Sequence, residues 1–142
     1  SVVGIVRRHR GGLAVDSKGV VHLSLQGVDE KLHYARLDGK HKTDQLLDPD
    51  PMIGNMTAIA ADSADHSHIA YSVVRGADEV LAYASFDGAA WQIEDVGPRA
   101  NLLTLAIDGD DQPHMVAEIF SGSISTHLET STAMDRGGTV TT

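Results

Sequence analysis

A ten-residue segment occurs three times in this chain of 142 residues, and its copies align without a gap. The copies cover residues 13–22, 59–68 and 105–114, and each runs from an apolar-Ala-apolar-Asp stretch to a histidine. The matching aspartates and histidines follow one another at intervals of 46 residues: Asp16, Asp62, Asp108, His22, His68 and His114. A fixed period of this length indicates a repeat architecture, in which each copy forms one supersecondary unit.

Each repeat contains the pattern of four short strands. In the first copy, residues 13–15 precede an Asp-centred turn, residues 20–26 alternate between two faces, and residues 32–37 end at an Asp-Gly hairpin signal. A weaker fourth strand is predicted around residues 44–47, and around residues 91–96 in the second copy. No helical periodicity continues beyond about two turns. The chain is therefore predicted to be all-β, with four strands in each unit.

The repeat resembles the blade repeats of bacterial β-propellers. Its pattern of apolar-Ala-apolar-Asp-Ser, Gly-x-x-His and Tyr-Ala-x-x-Asp-Gly is also similar to the Asp-box turn of sialidase-type blades, with histidine in the aromatic position. The resemblance implies one β-propeller domain of three four-stranded blades, at approximately residues 1–50, 51–96 and 97–142. Propellers of this kind serve as lectins, scaffolds, glycosidases and polysaccharide lyases, so the fold leaves the function open. The resemblance to exported proteins also implies a secreted or periplasmic location, with the cytoplasm as the alternative.

Three blades are fewer than the roughly four to eight that close a propeller. Residues 1–3 align with the end of a fourth strand, and residues 139–142 end at the same phase of the repeat. We therefore expect a six-bladed ring formed by homodimerisation, in which each C-terminal strand meets the N-terminal segment of the partner. A fragment of a longer propeller and a larger ring are the alternatives.

The composition excludes several classes of partner and site. The chain carries 20 acidic residues against 11 basic ones, with a formal net charge of −9, whereas nucleic acids and anionic membranes favour basic surfaces. We therefore expect no nucleic acid and no membrane as partners. The lack of cysteine excludes disulfides and thiolate zinc sites. The Gly-x-Ser-x-Gly, His-Glu-x-x-His and phosphate-loop motifs are also missing from the sequence.

The repeated aspartates and histidines admit a structural and a metal-binding interpretation. Equivalent histidines of three blades would lie ~15–20 Å apart, too far to share a metal ion whose ligands lie within ~2.1 Å. Residues 108–111 lack the ligand spacing of a calcium loop, and the His66–His68 pair is interpreted as one turn residue and one repeat residue. We therefore predict no metal and no cofactor. The positions interpreted as structural are Asp16, His22, Asp62, His68, Asp108 and His114.

Trp91 is the best candidate for a ligand-binding residue. It is the one tryptophan of the chain, it lies outside the repeated tyrosine positions, and Glu94 and Arg99 follow it closely. An aromatic plane beside polar groups suits the face of a sugar. We therefore predict a binding or scaffold module with these three residues as its site, a glycan or a protein surface as its ligand, and no catalytic residue. The alternative is a carbohydrate-active enzyme, a glycosidase or polysaccharide lyase, with its site at the channel mouth.

Overall fold

Antiparallel strands form all the regular secondary structure that the computed structural model describes, in residues 11–120, 124–130 and 139–141. Their bounds are β1 (Gly12–Val15), β2 (Val21–Gln26), β3 (Lys31–Asp38), β4 (His41–Ala61), β5 (Ser67–Arg75), β6 (Asp78–Phe86), β7 (Trp91–Pro98), β8 (Ala100–Ile107), β9 (Pro113–Phe120), β10 (Ile124–Thr130) and β11 (Thr139–Thr141). Within these ranges no helix is long and apolar enough to cross a membrane. The all-β prediction is confirmed. Residues 1–3 of the expected ring closure lie outside the described ranges.

Each strand pairs with the next one along the chain, from β1 to β7 in one sheet and from β8 to β11 in another. Strand β4 takes part in two pairings, since its residues up to Pro51 pair with β3 and its residues from Met52 pair with β5. Gly54, with a φ of 68°, lies near this change of partner. We define three four-stranded units: unit 1 is β1–β3 with residues 41–51, unit 2 is residues 52–61 with β5–β7, and unit 3 is β8–β11.

The continuity of β4 corrects one expectation of the sequence. The sequence predicts the fourth strand of the first repeat as a short element around residues 44–47, separate from the first strand of the next repeat. The structure instead runs one strand from His41 to Ala61 through this segment, with Asp48 buried. Asp48 lies there because it accepts hydrogen bonds from Tyr71 and Arg75, which the local sequence does not reveal.

The core lies between the units rather than within a single sheet. Side chains of units 1 and 2 meet in one buried cluster: Leu32, Tyr34, Met52, Ile59, Ile69, Tyr71, Val73, Ala82 and Ala84. Side chains of units 2 and 3 meet in a second cluster: Ala70, Leu81, Tyr83, Leu105 and Met115. Because alternate side chains of a strand point to opposite faces, unit 2 contributes one face to each cluster.

The three repeated turns share one local geometry. In the first turn, Asp16 Oδ1 accepts hydrogen bonds from the amides of Lys18 at 2.9 Å and Val20 at 3.0 Å. Asp62 and Asp108 accept the equivalent amide bonds in their own units. The fourth turn position has a positive φ in every copy, at Gly19, Asp65 and Asp111. Aspartate tolerates this left-handed conformation better than most residues.

Candidate functional site

The repeated histidines bind the turn aspartates of their own units. His22 Nε2 lies 2.8 Å from Asp16 Oδ2, and the corresponding pairs of units 2 and 3 lie at 2.8 Å and 2.7 Å. The other ring nitrogen of His22 lies 2.6 Å from the Tyr34 hydroxyl, and His68 contacts Tyr83 in the same way. With an ionised aspartate as the acceptor, the histidine Nε2–H donates and the tyrosine hydroxyl donates to Nδ1.

These contacts shift the acidity of the groups that take part. Burial alone would raise the pKa of Asp16, but hydrogen bonds from His22 and from the turn amides hold it below the ordinary value. The pKa of Asp62 is lowered by the same balance of effects. Burial raises the pKa of Tyr34, so its hydroxyl stays a proton donor at neutral pH. His22 and His68 are thus each held in one orientation by an anion on one side and a hydroxyl on the other.

The described parts of the chain contain no group of three or more His, Asp or Glu side chains arranged to hold a metal ion. In residues 108–111, both aspartates with hydrogen-bonded side chains are already engaged by protein groups. The Asp108 carboxylate accepts hydrogen bonds from backbone amides and from the His114 ring, and the Asp111 carboxylate accepts them from Ser63. His66 packs edge-on against Phe86, with 5.7 Å between the ring centroids.

Hydrogen bonds between turns join consecutive units. The carboxylate of Asp65 accepts the backbone amide of Ser17 at 2.9 Å and the Ser17 hydroxyl at 2.8 Å. The carboxylate of Asp111 accepts the same two groups of Ser63 in the next junction. We call each such serine–aspartate pair a clasp.

A pocket of about 350 Å³ opens between units 1 and 2, beside the first clasp. Its walls combine side chains from β2, β3 and β4 of unit 1 with the turn and the outer strands of unit 2. The lining residues are Asp16, Lys18, His22, Tyr34, Arg36, Thr43, Gln45, Ala64, Asp65, Ser67, Phe86 and Trp91. Volumes of about 300–1,000 Å³ are usual for pockets that hold small ligands.

One wall of the pocket is aromatic. The Trp91 ring meets Tyr34 at a centroid distance of 4.9 Å and an angle of 62°, and it meets Phe86 at 5.5 Å. Trp91 begins β7, directly opposite Phe86 in the β6–β7 pairing, so it faces unit 1. This packing fixes the indole while leaving part of it accessible.

The wall that unit 1 forms is polar beside Tyr34, because of the register between β3 and β4. Tyr34 pairs with Gln45 and Arg36 pairs with Thr43, so all four side chains lie on the face of unit 1 that meets unit 2. Arg36 also contacts Asp38 at 3.3 Å, which restrains its guanidinium near the rim. The wall therefore presents a planar cation, an amide and a hydroxyl to the cavity.

The predicted binding residues are not brought together. Trp91 lines the pocket, but Glu94 has the opposite parity on β7 and pairs with Tyr83, whose side chain faces unit 3. Arg99 follows the far end of β7 and binds Glu79 at 3.3 Å. At ~3.3 Å per residue, Trp91 and Arg99 lie ~26 Å apart along the strand direction. Proximity in sequence is misleading here because a strand carries its residues steadily apart.

Most of the pocket was missed in the sequence. Lys18 and Arg36 occupy variable positions of the repeat patterns, and Thr43 and Gln45 lie outside those patterns. Tyr34 lines the pocket while also belonging to the buried cluster between units 1 and 2. The available signal was the alternation of Tyr34 with Arg36 and of Thr43 with Gln45 on paired strands. That alternation places the residues on one face but does not say which other unit the face meets.

Comparison with known proteins gives a likeness of fold. No family model matches the chain, and no curated protein sequence matches it. Among solved structures, the chain is similar to a fucose lectin from Kordia zhangzhouensis in complex with methyl-fucoside. The TM-score is 0.59 at 14% sequence identity, and the match covers 93% of this chain and 96% of that chain. The chain thus shares a lectin-like β fold with that protein over nearly its whole length.

Proposed function

We propose that this protein is a glycan-binding module and that the pocket between units 1 and 2 is its saccharide site. The observation that carries the proposal is the composition of that pocket, in which Trp91 of unit 2 lines one cavity with Tyr34, Arg36 and Gln45 of unit 1. A fucose lectin as the structural neighbour supports a glycan as the class of ligand.

The two walls match the two kinds of surface that a sugar presents. The C–H groups of a pyranose ring are apolar and pack on an aromatic face, as Trp91 would allow. Sugar hydroxyls both donate and accept, and they would find donors in Lys18 and Arg36 and acceptors in the carboxylate of Asp65. A concave site of this size also suits a saccharide unit better than a flat protein surface.

The proposal includes the architecture that the repeat predicts. Each four-stranded unit would be one propeller blade, and the saccharide site would then lie in the groove between two blades. Because about four to eight blades are needed for closure, the chain would assemble with itself. An exported protein, as the resemblance predicts, would meet such glycans outside the cytoplasm.

The proposal is tested by titration with methyl glycosides, with methyl-fucoside as the first probe. Because Trp91 is the one tryptophan of the chain, its fluorescence reports on this pocket alone. We expect a saturable change in emission with one glycoside of the panel. No change with any glycoside, together with no heat of binding in calorimetry, would contradict the proposal.

Variants separate the pocket from the rest of the surface. Trp91→Ala and Arg36→Gln are each expected to weaken binding at least about tenfold in calorimetry, since each removes one contact between the pocket wall and the sugar. Arg99→Gln is the matched control, because Arg99 is an arginine near Trp91 in sequence but remote from the pocket. Equal loss of affinity in Arg36→Gln and Arg99→Gln would mean that charge in general, and not this pocket, binds the glycan.

A further inference from the structure

In unit 1, the part of the outward face that β1 and β2 form is apolar and lacks a covering partner among the described residues. By alternation and register, Leu13, Val15 and Leu23 share the face that points away from unit 2. Leu13 is 63% exposed and Val15 is 56% exposed. We call this surface the open face of unit 1. Neighbouring large apolar side chains exposed together commonly mark an interaction site.

The repeat indicates what normally covers such a face. Ile59 and Leu105 occupy the positions of Leu13 in units 2 and 3, and they are only 8% and 9% exposed. Ile69 and Met115 occupy the position of Leu23 and are fully buried. In both cases the preceding unit of the chain covers them. The open face is therefore built like two faces that each receive another unit.

In unit 3, the face that would meet a following unit is less covered than the equivalent faces of units 1 and 2. The side chain of His114 in unit 3 is 37% exposed, whereas those of His22 and His68 are 4% and 11% exposed. The internal histidines are covered by the following unit, on the same side as the cores that join the units. Unit 3 has no following unit among the described residues, so its histidine–aspartate pair lies half open.

We propose that unit 3 of a second copy of this chain packs on the open face of unit 1. The contact is head to tail, since it joins the last unit of one copy to the first unit of the other. A contact of this type closes into a ring when the rotation allows it. Two copies would provide six units, which is within the range of about four to eight blades in closed propellers. Three copies would exceed that range. This inference does not depend on glycan binding.

The junction between copies would differ from the internal ones in one respect. Gly109 stands where Ser17 and Ser63 donate to the clasps, and Gly19 stands where Asp65 and Asp111 accept them. Both clasp groups are thus missing at the two ends that would meet. A side chain at either glycine would find open space, since no atom lies within 4 Å of the Cβ position. Gly19 has a positive φ of 80°, but Asp65 and Asp111 adopt a positive φ at the equivalent position, so aspartate is the residue suited to it. The clasp can therefore be introduced by substitution.

The first test measures the mass of the whole chain in solution by light scattering coupled to size exclusion. The wild type is expected at twice 15.1 kDa and Leu13→Asp at 15.1 kDa. Leu13 is exposed in the single chain, so the charge should leave its fold intact, which circular dichroism checks. Ile93→Asp is the matched control, because Ile93 is also an exposed apolar strand residue but lies in unit 2, and it should stay dimeric.

The second test builds the missing clasp. Gly19→Asp with Gly109→Ser is expected to lower the dissociation constant of the dimer at least about tenfold, since hydrogen bonds to a carboxylate are strong. Gly109→Ser alone should leave it unchanged, and Gly19→Asp alone should give a smaller gain through the backbone amide of Gly109.

The outcomes decide the proposal without any glycan present. A folded monomeric wild type, or a Leu13→Asp variant that stays dimeric, would overturn it. A dimer whose affinity shows no coupling between the two glycine substitutions would overturn the head-to-tail geometry. Loss of glycan binding in any of these variants has no influence on the measured mass.

Discussion

Asp65 and Ser17 lie 48 residues apart in the chain, and they are joined by two hydrogen bonds of 2.9 Å and 2.8 Å. Asp65 holds a φ of 64°, so the residue that accepts these bonds also makes the turn of unit 2. The same position is occupied by Gly19 in unit 1, which has no preceding unit among the described residues. In units 2 and 3, the turn residue with the positive φ therefore also binds the preceding unit, through Asp65 and Asp111.

Asp65→Gly is expected to lower the free energy of unfolding by about 1 kcal/mol, because both clasp bonds are lost at a partly exposed site. Glycine is chosen because it keeps the positive φ without strain. Ser17→Ala removes only the hydroxyl bond and should cost about half as much. Urea denaturation of the two variants and the wild type measures the difference. Equal stability of wild type and Asp65→Gly would show that the clasp contributes nothing.

The free energy of unfolding is expected to fall on acidification below about pH 4. Hydrogen bonds lower the pKa of Asp62 in the folded chain below its ordinary value of 3.8. A carboxylate of this kind stabilises the fold when the pH is above the pKa that the group has in the unfolded chain. That contribution is lost as the pH falls through the lowered pKa of the folded chain. Urea midpoints at pH 6, 4 and 3 should decrease in that order.

Asp62→Asn tests the origin of this acid sensitivity. The amide keeps the shape of the side chain but carries no titrating carboxyl group, so the loss of stability between pH 6 and pH 3 should become smaller. Asp110→Asn is the control, because the Asp110 side chain is exposed. A pH dependence that is identical in wild type and Asp62→Asn would contradict the assignment.

Arg75→Met is expected to destabilise the chain by about 3 kcal/mol, because it leaves the carboxylate of Asp48, which is only 1% exposed, without its paired cation. Arg75 holds Asp48 through Nη1 at 2.8 Å and Nη2 at 2.8 Å, and its Nε reaches Asp95 at 3.1 Å. Arg99→Met is the matched control and should cost less than about 0.5 kcal/mol, since its contact with Glu79 is exposed. Thermal and urea denaturation compare the two. Similar losses in both variants would refute the prediction.

Gly12→Ala is expected to cost about 1–3 kcal/mol through overpacking between units 1 and 2. The added methyl group would lie 2.8 Å from Ile59 Cγ2 and 2.8 Å from Ser24 Oγ, both inside the packed junction. Gly97→Ala is the control, because no atom lies within 4 Å of its Cβ position. Urea denaturation should separate the two alanine variants, and an unchanged Gly12→Ala midpoint would indicate that the junction is looser than described.

The turn geometry was accessible from the sequence because its contacts are local. The Asp16 carboxylate accepts amides two and four residues ahead, so the Asp-Ser-x-Gly pattern carries the information needed. The same locality explains the prediction of strands at β1, β2 and β3. The long strand β4 was not predicted, because its buried Asp48 depends on Arg75 and Tyr71, more than twenty residues away.

The sequence alone determined that the chain is an all-β protein of three repeated units, since period, strand alternation and turn residues are encoded within each copy. Only the tertiary structure decided which faces meet and therefore where the pocket lies. Trp91 joins Tyr34 and Arg36 there, and not Glu94 and Arg99, because packing between units 1 and 2 selects one face of each strand. That selection depends on contacts between distant residues, which no local pattern specifies.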